Sequence, residues 1–304
     1  MVLLLIVSVV AICVLVLILV SLLQISTGTS RFYEVADTSI CYQPNCARCQ
    51  KTTDVRRGFL RLANDKQCFG RIQSALECGR RDLGSQYILY IRDLTLLSQA
   101  IWTVEQLPVT YQQSIECLEA NCDLIWTEFC QVIKLKQTHA FWTKNETPLG
   151  TWKTLKLIAQ GRRQQPVWDL FPSTTTILNS IPSVLCRANI FANAFFSMIE
   201  PGSCIEPHYG STNVRLRCHL GEFVAKRLQI PASPIFSQRF PLASITIDQK
   251  TVSWTRGRCL IFDDSFEHSV YVSAFAAVPR IVLLVDFWHP YLTSDEKRCI
   301  ETIF

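Results

Sequence analysis

The sequence predicts a mainly β domain, a β-sandwich or a closed double-sheet jelly roll, with a helical lead-in and an N-terminal transmembrane helix. Three observations carry this prediction. Eight short apolar or alternating runs lie at 190–199, 204–208, 214–220, 243–247, 251–254, 259–262, 268–272 and 280–288, with turn signals such as PGS, YGST and FDDS between them. Tyr111, Ile115, Leu118, Cys122, Ile125, Phe129 and Val132 recur at three- and four-residue steps and predict one helix over 111–135. Residues 2–23 contain neither charge nor proline.

That N-terminal run has 22 residues. As a helix it would span about 33 Å, one hydrocarbon core. It lacks a basic start, and it exceeds the roughly 7–15 apolar residues of a cleaved signal peptide. It therefore reads as an uncleaved signal anchor over 1–24. Arg31, the first fixed positive residue, follows the span and taken alone favours a cytosolic C-terminal region. Two other features point the opposite way. All of the 14 cysteines except Cys13 lie beyond the span, a density that suits an oxidising lumen. Asn145-Glu146-Thr147 is an acceptor sequon for N-glycosylation in a polar segment. The expectation is a single-pass type II membrane protein facing the lumen of the endoplasmic reticulum or Golgi, glycosylated at Asn145.

Residues 25–81 read as a lumenal stem. Cys41, Cys46 and Cys49 have no histidine nearby to complete a zinc site, so they read as a disulfide-stapled loop. The basic stretch 53–84 reads as a solvated face. The rest, 82–304, divides into a helical lead-in over 82–149 and a β-barrel core over 150–304. In the lead-in the apolar stripe is packed core, and His139 beyond it is a surface histidine. In the core, 151–158 alternates as a strand and breaks at Gln160-Gly161-Arg162, and 174–178 and 180–185 read as helical. With 304 residues, 49% of them hydrophobic, the chain can bury a sizeable core. A net charge of +5 without a long basic block excludes a nucleic-acid footprint.

The chemistry gathers in 197–220. On a strand, Arg215, Arg217 and His219 share one face, while Val214, Leu216, Cys218 and Leu220 share the other. A sheltered row of two arginines and a histidine asks for an anion. Arg280 opens an otherwise apolar run and asks for the same. His208 and His268 each follow a turn and can meet at the mouth of a barrel, where imidazoles suit Fe(II), Zn or Cu. An iron site of two histidines and one carboxylate would place the carboxylate at position 210, which is glycine. Asp263 and Asp264 lie in a DDS turn that most simply caps itself. The plain alternative is a pair of structural histidines. If water fills the third ligand position, Gly210→Ala is expected to leave iron binding intact.

PGSCIEPHYGSTNVRLRCHLG, W-x-x-GRCLIFDDSFEHSV and PRIVLLVDFWHP, in that order, resemble the aspartyl/asparaginyl β-hydroxylase family over about 150–290. The resemblance extends plausibly to the lead-in from Asp82. CYQPNCARC with a single anchor is closer to that family's aspartate β-hydroxylase domain-containing members. The resemblance implies a double-stranded β-helix and an Fe(II)- and 2-oxoglutarate-dependent dioxygenase whose two histidine ligands dispense with the carboxylate, which accounts for Gly210. It makes His208 and His268 the metal ligands. It makes Ser197, Arg217, His219 and Arg280 the 2-oxoglutarate site, and Gln160 and Arg215 substrate contacts. Two departures stand out. Ile158 occupies a position that the family fills with tryptophan against the cosubstrate, and two extra residues separate His268 from Arg280.

The expected activity is hydroxylation of an Asp or Asn side chain at its β-carbon, in a lumenal or secreted protein, with O2 consumed and 2-oxoglutarate decarboxylated to succinate. One alternative is a catalytically silent metal-binding interaction module of the secretory membrane. Another is a cupin-like lectin using Trp254 and Trp288, though both lie in strand patterns typical of core.

Overall fold

In a computed structural model, residues 71–72, 97–181, 185–186, 188–223 and 242–304 are described. Among them lie two antiparallel sheets. The larger has eight strands: β1 (Ile101–Trp102), β10 (Cys259–Phe262), β7 (Arg215–Phe223), β12 (Arg280–Trp288), β5 (Ala194–Ile199), β3 (Trp152–Ala159) and β2 (Thr143–Asn145) in that order, with β4 (Arg162–Arg163) on β3. The smaller has four: β6 (Ser203–His208), β11 (His268–Val272), β8 (Ala243–Ile247) and β9 (Lys250–Val252). From β5 to β12 the chain passes back and forth between the sheets, which is the winding of a jelly roll. Inward apolar residues of both sheets meet in one cluster, Ile199 and Val282 from the larger and Ile245 and Val270 from the smaller.

The outer face of the large sheet is covered by the lead-in. The helix expected over 111–135 is two helices, α1 (Val109–Ala120) and α2 (Cys122–Val132). Asn121 divides them, because its side-chain amide donates to the Cys117 carbonyl at 2.8 Å and competes with the helical ladder. The predicted stripe is nonetheless buried throughout and packs with Leu155, Phe196, Leu216 and Phe287. Glu128 locks α2 to the next long helix, Pro172–Ser180. Its carboxylate accepts the N–H groups of Ser173 at 2.7 Å and Thr174 at 2.8 Å, a carboxylate at a positive helix N-terminus.

The strand predictions of the core hold to within a few residues. The run from 190 becomes a strand only at Ala194, and β7 continues to Phe223. Helix over 174–178 is found. The second helical expectation falls mainly on residues 182–184, outside the described residues, and Leu185 is bridged to Phe287 instead. Gly202 makes the Pro-Gly turn between β5 and β6 at φ 73°, a left-handed conformation that glycine adopts without strain.

The expected anchor, the expected stem apart from residues 71–72, and Cys41, Cys46 and Cys49 lie outside the described residues. No helix among the described residues is long and apolar enough to cross a membrane. Among the described residues Cys117, Cys186, Cys204, Cys218 and Cys259 are free thiols.

Candidate active site

His208 ends β6, His268 begins β11, and the two are paired in register. Their ring centroids are 4.1 Å apart. His208 Nδ1 lies 2.8 Å from the Glu206 carbonyl, and His268 Nδ1 lies 3.0 Å from that of Phe266. A carbonyl only accepts, so each Nδ1 carries the proton and each Nε2 keeps its lone pair. Burial lowers the pKa of His208. Burial, then the neighbouring His208, brings His268 down to about 3. Both rings are therefore neutral at pH 7 and fit a divalent metal. Among the described residues no group of three or more histidine, cysteine or acidic side chains is placed to hold a metal ion.

The position-210 question has a steric answer. A Cβ on Gly210 would lie 2.3 Å from Asp264 Cγ. The Asp264 carboxylate occupies the space that a side chain at 210 would need, so Gly210→Ala would have to displace it. Nor does the DDS turn cap itself as a unit. Asp263 Oδ1 accepts the Ser265 N–H at 2.8 Å, but Asp264 Oδ2 lies 2.9 Å from Arg215 and 3.1 Å from Arg217.

The pleat expected for β7 is found. Leu216, Cys218 and Leu220 join the helix-side core, and Arg215, Arg217 and His219 face inward. Arg215 is 2% exposed. Its two terminal nitrogens meet Asp264 and, at 2.7 Å, Asp286, and it donates also to the Phe191 carbonyl. Burial opposes its charge, but the two carboxylates outweigh burial and raise its pKa. Arg217 shares both carboxylates and is more open.

Arg280 is just as buried but has no carboxylate beside it. It donates to the Ser197 carbonyl and Oγ, both at 3.3 Å, and stacks over Trp254 with 4.5 Å to the ring centroid. Its Nε has no hydrogen-bond partner, and burial alone pulls its pKa down to about 9. Beside it, His219 accepts the Trp254 indole N–H at Nδ1, at 3.2 Å, so its proton is on Nε2, which is also buried and unpartnered. Phe262 links this pocket to the metal-side pair, with its ring 4.9 Å from His219 and 5.7 Å from His268. Unmet buried donors carry a desolvation penalty that a bound carboxylate removes, so the pocket fits an anionic ligand.

Two expected site residues lie apart from the pocket. Gln160 sits on the turn after β3, where its backbone N–H reaches Asn193 Oδ1, and Asn193 Nδ2 in turn reaches Asp286. It also lines a cavity of about 150 Å³ with Ala188, Asn189 and Phe304. Ile158 belongs to the helix-side core with Leu155 and Leu157, not to the inward-facing pocket. Sequence reading missed Asp286, Asp264 and the tryptophans Trp152 and Trp254 as members of the site. A signal for Asp286 existed: it is a lone acid in the apolar strand opened by Arg280.

Residues 119–290, from the end of α1 through β12, match the family model described as Aspartyl/Asparaginyl beta-hydroxylase. The chain belongs to the aspartyl/asparaginyl β-hydroxylase family. It is 30% identical over 277 residues to the mouse (Mus musculus) protein called Aspartate beta-hydroxylase domain-containing protein 2, covering 87% of this chain and 75% of that one. It is 34% identical over 210 residues to the human (Homo sapiens) Aspartyl/asparaginyl beta-hydroxylase, covering 68% of this chain and 25% of that one. Among solved structures, an oxidoreductase of the 2OG-Fe(II) oxygenase family from Burkholderia pseudomallei matches at 13% identity and a TM-score of 0.32, over 49% of this chain and 73% of that chain.

Proposed function

We propose that this family member is an Fe(II)- and 2-oxoglutarate-dependent dioxygenase that hydroxylates a protein side chain, Asp or Asn at the β-carbon. The observation that carries the proposal is the buried, carboxylate-free Arg280, which with His219 leaves donors unmet, one aromatic ring away from a pair of neutral histidines. His208 and His268 would hold the iron through Nε2. Arg280, His219 and Ser197 would bind the far carboxylate of 2-oxoglutarate, with Arg217 toward the opening. Iron, 2-oxoglutarate and dioxygen together supply oxidative decarboxylation to succinate and hydroxylation of a C–H bond. The chain's own part is to orient these reactants and exclude water. Gln160 keeps its proposed role toward the substrate, whereas Arg215, buried between Asp264 and Asp286, holds those two carboxylates instead of contacting the substrate.

The same reading keeps a lumen-facing type II protein with an anchor over 1–24, a stem over 25–81 and an oxygenase region over 82–304. Among the described residues Asn145 ends the edge strand β2, half-buried, with its Nδ2 donating to Thr154 Oγ1 of β3 at 3.3 Å.

The test uses the full chain in detergent with Fe(II) and ascorbate, measuring succinate formed from 2-oxoglutarate. Metal and cosubstrate binding are followed by calorimetry with Mn(II). Turnover is expected in wild type, and loss of metal binding in His208→Ala and His268→Ala. A wild-type chain that binds metal but neither binds nor consumes 2-oxoglutarate overturns the proposal and leaves the silent interaction module.

A further inference from the structure

Two tryptophans direct their indole N–H groups into the cationic pocket. Trp254 Nε1 donates to His219 Nδ1 at 3.2 Å, and Trp152 Nε1 donates to Ser197 Oγ at 3.1 Å. Each bond changes what its acceptor can offer. A neutral imidazole has one donor and one acceptor nitrogen. With Nδ1 accepting from Trp254, the proton stays on Nε2, which is buried and without a partner. Ser197 Oγ accepts from Trp152 and also from Arg280 at 3.3 Å. A hydroxyl has two acceptor lone pairs, so both are engaged and its own proton is left to donate. Trp254 also lies under the Arg280 guanidinium and is nearly coplanar with His219, at an interplanar angle of 20°.

We propose that Trp254 and Trp152 are positioning residues that hold His219 and Ser197 as donors, so that the pocket offers donors only. Such a pocket selects a 2-oxo acid ending in a carboxylate against one ending in a methyl group, because a neutral tail leaves the buried donors unmet. This inference rests on the cosubstrate reading above.

The full chain with Mn(II) is titrated by calorimetry with 2-oxoglutarate and, separately, with 2-oxopentanoate, in wild type, Trp254→Phe and Trp152→Phe. Phenylalanine keeps a ring and removes only the N–H donor and part of the area. Trp254→Phe is expected to weaken 2-oxoglutarate about tenfold, and Trp152→Phe about threefold, as the loss of one oriented hydrogen bond implies. Binding of 2-oxopentanoate should change little, whereas general damage to the fold would weaken both ligands together. Histidine nitrogen NMR of the ligand-free wild type is expected to show His219 protonated at Nε2. Wild-type affinity for 2-oxoglutarate in Trp254→Phe, or equal losses for both ligands, overturns the inference alone. So does a wild-type His219 protonated at Nδ1, a result that holds even if the variants do not fold. A wild-type chain that binds no 2-oxoglutarate overturns the cosubstrate reading, and the selectivity with it.

Discussion

Arg215 and Arg280 lie on the same inward face of one sheet, on the adjacent strands β7 and β12, each 2% exposed. Arg215 is paired with Asp264 and Asp286, whereas Arg280 has a serine and an indole face but no carboxylate, and each keeps a buried Nε without a hydrogen-bond partner. The difference separates two uses of a buried charge. A guanidinium between two carboxylates has its charge met within the fold and fixes neighbouring strands in place. A guanidinium without an anion is a standing penalty that folding alone does not repair, and a ligand carboxylate does. Neighbouring aspartates repeat the contrast. Burial opposes ionisation of Asp264, but Arg215 and Arg217 outweigh it and push its pKa down. Asp263 lacks a contacting cation, and burial pushes it up to about 7.

The comparison breaks most severely if Arg215 is dispensable to folding. Arg215→Ala leaves two carboxylates buried without their main partner and is expected to destabilise the chain by about 3–5 kcal/mol, read by urea unfolding. An unfolding midpoint like that of wild type would show that the ion pairs of Arg215 do not hold the strands in place.

Next in size is Asp263→Asn. The folded pKa of about 7 lies above the ordinary 3.8, so the contribution of Asp263 to stability is full below about pH 4 and falls as pH rises through 7. The gain of Asn over Asp should therefore grow between about pH 4 and 7 and then level off, on the order of 4 kcal/mol at the plateau. Thermal melts across that range check it, and a difference independent of pH contradicts it.

Arg280→Lys keeps the charge but loses the planar fork. Affinity for 2-oxoglutarate should fall ten- to a hundredfold, about 1.5–3 kcal/mol, while Mn(II) binding stays. Arg280→Met in the ligand-free protein should leave stability unchanged or raised, the reverse of Arg215→Ala.

The smallest expected effect is Gly210→Ala. Its methyl group displaces the Asp264 carboxylate from between the arginines, with a loss of about 1–3 kcal/mol from overpacking. A denaturation midpoint within error of wild type would mean that Asp264 moves freely.

Much of this site was legible before any coordinates. Period-two alternation put Arg217 and His219 on one face, and the oddness of an arginine at the head of IVLLV marked Arg280. The family blocks then singled out His208, His268 and Ser197. Three expectations needed correction, one through a local side-chain contact and two through contacts distant in sequence. Asn121 divided a stripe that periodicity read as one helix, because a side chain competed for the backbone. Asp264 left its own turn for two arginines 49 and 47 residues away in sequence, and so filled the space above Gly210. Ile158, suspected of opening the cosubstrate wall, packs among the lead-in helices.

By itself the sequence determined which side chains alternate, where turns interrupt them and which charges sit among apolar neighbours, since these follow from local backbone geometry and composition. Only the tertiary structure decided which buried charge found a partner. Arg215 meets Asp286 because β7 pairs with β12, and Arg280 meets no carboxylate because its row carries Ile199 and Trp152 instead. Strand register, a property of the whole sheet, sets which residues stand opposite one another, and that opposition left one arginine satisfied and the other open to a ligand.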